Sequence, residues 1–96
     1  MRAEIQGSEI HTFADFQRTA ARLLGFYEYG GQNLAALRDR IVYDVERPIE
    51  LIWHDAEKSR QQLGPEVFDQ IRDVLAEAEE HDQRLGWNER FVYELR

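Results

Sequence analysis

The chain contains no cysteine, which excludes disulfides and thiolate metal centres and leaves the redox compartment open. Proline occurs only twice, at Pro48 and Pro65, so each marks a place where a helix or ladder cannot run on. No apolar run approaches the roughly 20 residues that span a bilayer, and the opening MRAEIQG lacks the apolar stretch of a secretory signal. Cytoplasmic residence, away from any membrane, is the expectation. A basic excess is missing too: 12 lysines and arginines stand against 19 acidic residues, for a net charge of -7. That balance disfavours a groove that binds nucleic acid directly and favours a cationic partner.

Catalytic patterns are equally scarce. There is no phosphate-cradling GxxxxGK[ST] and no GxSxG elbow. His11, His54 and His81 are far apart and share no ligand spacing. Glu77, Glu79, Glu80 and Asp82 form an acidic run at a helix end, which reads as a solvated face. No catalytic residue, metal or cofactor is expected, and the chain does not read as an enzyme.

What is present suits one compact unit. With 96 residues and 43% hydrophobic content, residues 1–96 are expected to form a single domain. Residues 3–6 alternate as a first strand and turn at Gly7-Ser8. Thr12 and Asp15 have the spacing of a capping box, and Phe13, Phe16, Ala20, Leu23 and Leu24 recur on one helical face, so a helix is predicted over 13–24 with Gly25 as its stop. Pro48 separates a second helix from IELIW, a buried strand over 49–53. A third helix is predicted over 54–63, ended by Gly64. Pro65 then opens a fourth, whose seam is Val67, Phe68, Ile71, Val74, Leu75 and Ala78. A last strand over 90–95 places Phe91, Tyr93 and Leu95 on one face and Val92 on the other. The order predicts an α/β fold: a small three-stranded parallel sheet packed with about four helices.

The stretch YEYGGQNLAALRDRI, residues 27–41, organises the rest. Gly30-Gly31 permits a turn where side chains would clash, Asn33 can cap the helix that follows, and Leu34, Leu37 and Ile41 form one seam. Burying Leu37 and Ile41 is worth roughly 1.5–3 kcal/mol each, enough to pin an element too short to be helical alone. Ala35, Arg38, Asp39 and Val42 are left on or near other faces, with Asp39 opposite the Leu37 seam and directed to solvent.

In its succession Tyr29, Gly31, Gln32, Asn33, Leu34, Ala36, Leu37 and Asp39, followed by Glu46, Pro48 and an aliphatic strand ending in Trp53, the chain resembles the barstar family of intracellular ribonuclease inhibitors. The resemblance covers most of the chain and is weakest after Asp82. It implies the same α/β architecture that the periodicity gives. It also implies stoichiometric blocking of a small basic secreted ribonuclease by a chain that makes and breaks no bonds and is monomeric when free. The partner-binding set it implies is Tyr29, Gly31, Asn33, Leu34, Arg38, Asp39 and Glu77. Within it, Asp39 takes the place of a substrate phosphate, accepting charge-assisted hydrogen bonds. Tyr29 packs on a catalytic histidine of the enzyme, Gly31 offers backbone and Asn33 a side chain. Glu77 is a second anion, with Glu80 as its alternative.

Departures from the family pattern carry their own expectation. Ala35 and Arg38 stand where the family has an acidic residue and a tryptophan, and Asp44 where a second tryptophan follows. Arg38 repels a basic enzyme unless an acidic group faces it or it pairs with Asp39 or Glu46. Barnase is therefore expected to be inhibited only weakly, the true target differing opposite these positions. The alternative is a barstar-like adaptor or immunity protein whose basic target is not such a ribonuclease.

Overall fold

The computed structural model describes residues 1–27 and 33–96. In chain order the elements are β1 (Arg2–Gln6), α1 (Phe13–Leu24), α2 (Leu34–Tyr43), β2 (Ile49–His54), α3 (Ala56–Leu63), α4 (Pro65–Arg84) and β3 (Phe91–Leu95). A single 3-10 turn at Gly7–Glu9 follows β1. The strands form one parallel sheet in the order β1-β2-β3. This is the α/β arrangement that the residue periodicity predicts.

Alternation decides which way each strand faces. Ala3 and Ile5 of β1, Ile49, Leu51 and Trp53 of β2, and Phe91 of β3 are buried in one core with the helices. The opposite face carries Arg2, Glu4, Glu50 and Glu94 in solvent around the buried Ile52. Trp53 is the centre of the core, with its ring 4.8 Å from that of Phe16 in α1 and 5.1 Å from that of Phe68 in α4. Its indole N–H donates to Ser59 Oγ at 2.9 Å, and the Ser59 hydroxyl donates in turn to the Gly7 carbonyl at 2.8 Å. Every buried polar atom of that chain is thereby satisfied. Gly7 is fixed here by space: a Cβ would run into the His54 carbonyl oxygen.

The helices begin and end where local chemistry dictates. Thr12 Oγ1 accepts from the Asp15 N–H, and the Asp15 carboxylate accepts from the Thr12 and His11 N–H groups. The His11 amide, with the Thr12 amide and Arg18, holds the Asp15 carboxyl below its ordinary pKa against the upward push of burial. Gly25, at φ 77°, takes the left-handed position that closes α1. Asn33 Oδ1 accepts from the Ala36 N–H and starts α2.

Two local expectations require correction. His54 is the last residue of β2, paired with Gln6, and not the first of a helix; Asp55 turns the chain at φ 52° before α3. An imidazole to carboxylate bond, His54 Nε2 to Glu4 Oε1 at 2.8 Å, holds that strand end across the open face. Val42 belongs to the buried side of α2 with Leu37 and Ile41, because α2 packs along α4 while contributing to the common core and so needs a wider apolar stripe. Strand β3 keeps the predicted alternation, with Phe91, Tyr93 and Leu95 on the side of Ile49, Leu51 and Trp53, and runs off the core toward its end. Phe91 is fully buried, Val92 and Tyr93 are half-buried and Leu95 is exposed.

The acidic run at the end of α4 is not uniformly solvated. Asp82 is completely buried, and its Oδ2 sits 2.6 Å from Nε of Arg47, itself 8% exposed. The same carboxylate accepts from the Phe91 N–H at 2.7 Å and lies 3.0 Å from His81 Nδ1. Burial is the largest single influence on Asp82 and pushes its pKa up. Arg47, His81 and the Phe91 amide together outweigh it and leave the carboxyl below its ordinary value. One turn earlier, Glu79 accepts from the Tyr93 N–H at 3.2 Å. Since the Arg96 N–H bonds back to Trp53 of β2, the Phe91 and Tyr93 amides are those on the outer side of β3.

Candidate functional site

Helix α2 lies along α4 with Leu37, Ile41 and Val42 turned inward. Side chains one position on from that seam face outward, so Arg38 and Asp39 are carried on the exposed side of α2. Glu77, between the buried Leu75 and Ala78 of α4, emerges beside them. Residues 39 positions apart in sequence meet there: Arg38 Nη1 donates to Glu77 Oε1 at 3.2 Å, and Arg38 Nη2 donates to Asp39 Oδ1 at 3.4 Å.

The three side chains remain accessible, Arg38 at 44%, Asp39 at 52% and Glu77 at 50% of full exposure. Hydrogen bonding to Glu77, and then to Asp39, raises the Arg38 pKa, so the guanidinium is charged throughout the working range. Ion pairs this exposed are weak and screened by salt. The network orients the carboxylates without locking them.

Of the other residues implied as contacts, Asn33 is exposed at the start of α2 and spends its side-chain oxygen on the Ala36 amide. Leu34 is half-buried, lining a recess of about 130 Å³ with Phe13, Val67 and Gln70. Tyr29 and Gly31, with their neighbours Gly30 and Gln32, lie outside the described residues. Glu80 is exposed on α4. Arg38 meets Asp39 and Glu77, and its described partners do not include Glu46. At the third departure, Asp44 pairs with Arg40 one turn back. Ala35 is exposed.

Sequence reasoning passed over the flank of this face. Arg38, Val42, Tyr43, Glu77, His81 and Arg84 line a second recess of about 130 Å³. The His81 ring stands edge-on between those of Tyr43 and Trp87, 5.8 Å from each. Tyr43 follows Asp39 by four residues, the interval that puts two side chains on one face of a helix; that spacing was the available signal. Trp87 lies beyond α4, and nothing in its sequence neighbourhood indicates that it meets His81.

The arrangement offers carboxylate acceptors on well-packed helices and, among the described residues, no activated nucleophile with a base beside it. Exposed carboxylates of this kind can accept charge-assisted hydrogen bonds from cationic groups. The family model described as Barstar (barnase inhibitor) matches residues 1–94, a span that extends past Asp82 nearly to the end of the sequence.

Proposed function

This chain belongs to the barstar family, a family of inhibitors and not of catalysts, and from that premise we propose that it blocks a small basic secreted ribonuclease one to one. The contact surface in this reading is the 29–39 loop and helix together with Glu77. Asp39 stands in for a substrate phosphate in the enzyme's cleft and Glu77 is the flanking anion. The observation that carries the reading is the convergence of Asp39 and Glu77 on one exposed face of two packed helices. A net charge of -7 accelerates encounter with a basic enzyme. Such capture suits a cytoplasmic protein, monomeric when free, that must neutralise a nuclease before RNA is cut.

A second reading has its own support. Arg38 occupies both carboxylates, which favours an adaptor or immunity protein whose target is basic but not a barnase-type ribonuclease. Titration of the purified chain into the small basic ribonucleases of the organism that encodes it, read as RNA cleavage, separates the two. One-to-one inhibition that is lost with Asp39→Ala supports the inhibitor. No inhibited ribonuclease across that set selects the adaptor.

A further inference from the structure

Resting on this reading and deepening it, we propose that Arg38 selects a basic partner carrying a carboxylate set between two cations. The face presents its charges in the order minus, plus, minus, with the guanidinium bridging Glu77 and Asp39. A guanidinium has five N–H donors. The described residues take two of Arg38's, one on each terminal nitrogen. The remaining donors belong to a group that is 44% exposed and can receive an anion arriving from outside.

The guanidinium is also oriented. Its side chain lines the recess walled by Val42, Tyr43, His81 and Arg84, and its two carboxylate bonds set the plane of the fork. A uniformly positive surface approaching here meets a like charge at the centre, set between the two carboxylates that attract it. A surface with an acidic residue between two basic ones satisfies all three positions at once, placing its anion on Arg38 and its cations on the two carboxylates. Repulsion of the first kind of surface is what turns general attraction to cations into selectivity.

The test uses two synthetic peptides, Lys-Arg-Asp-Arg-Lys and Lys-Arg-Asn-Arg-Lys, titrated into the full chain at low salt and followed by NMR at the Arg38 side chain and the α2 amides. The expected result is tighter binding of the aspartate peptide, although it carries less positive charge. In Arg38→Gln the preference reverses, and in Arg18→Gln, which makes the same charge change on α1, it is kept. Equal binding, preference for the asparagine peptide, no shift at Arg38, or loss of the preference in Arg18→Gln overturns the proposal. The ribonuclease reading stands or falls separately, on whether Asp39→Ala abolishes inhibition of RNA cleavage.

Discussion

Arg47 and Asp82, 35 residues apart in sequence, meet in the interior with Nε to Oδ2 at 2.6 Å, and the carboxylate also receives the Phe91 amide. The pair ties the segment before β2 to the end of α4 and the start of β3. Truncating one partner leaves the other charge buried without compensation, at a cost of about 3–5 kcal/mol. Asp82→Ala is therefore expected to lower the urea midpoint by more than any change at an exposed carboxylate such as Glu80.

The same residue gives a pH dependence of definite sign. The folded pKa of Asp82 is depressed, so its contribution is complete above the unfolded value of about 3.9 and is lost as pH falls through the folded value. Asp15, also depressed, acts in the same sense. Urea unfolding between pH 7 and pH 2 should show stability falling below about pH 4. In Asp82→Asn the fall should be shallower, from a lower starting point.

Beneath Trp53 the packing is close enough to be read by single atoms. Gly7→Ala forces a methyl group against the His54 and Asp55 carbonyls and is expected to cost about 1–3 kcal/mol or more as overpacking. Ser59→Ala leaves the Trp53 indole N–H buried and unpaired, costing roughly 1–3 kcal/mol. Trp53 fluorescence during denaturant unfolding reports both.

On the proposed binding face, Asp39→Ala removes a half-exposed side chain and is expected to leave the thermal midpoint nearly unchanged. Under the proposed function it should weaken binding to the ribonuclease it inhibits by roughly 10- to 100-fold, as loss of a charge-assisted hydrogen bond does. Arg18→Ala on α1 should do far less. Calorimetric titration of both variants against the wild-type chain checks this, and equal affinities for wild type and Asp39→Ala would put the contact surface elsewhere.

Asn33 separates stability from binding. Its side chain caps α2, so Asn33→Ala is expected to cost about 1 kcal/mol, whereas Asn33→Asp keeps the cap. Thermal unfolding of the two variants measures the capping role. Affinity for the partner, measured on Asn33→Asp, then reports the binding role without a folding defect.

Much of this architecture was legible from the sequence because it is set by local signals. The Thr12 and Asp15 box, Gly25, Asn33 and Pro65 bound their helices where spacing and backbone chemistry say they must. Long-range partners were not legible. An aspartate inside an acidic run looks solvated until Arg47 arrives from 35 residues away. His54 looks helical until Gln6 and Glu4 claim it for the sheet. For the candidate face, the exposure of Asp39 followed from the Leu37 seam. The pairing of Arg38 with Glu77 depended on how α2 and α4 pack, which no periodicity encodes.

The carboxylates of Glu79 and Asp82 on the outer amides of β3 have a bearing on how copies of the chain behave at high concentration. An unguarded rim on a small sheet invites another chain to dock strand to strand and seed polymerisation. Here two of the donors such a visitor would need are already occupied by the protein's own helix. Neutralising Glu79 and Asp82 would therefore do more than loosen the fold: it would reopen a template for aggregation.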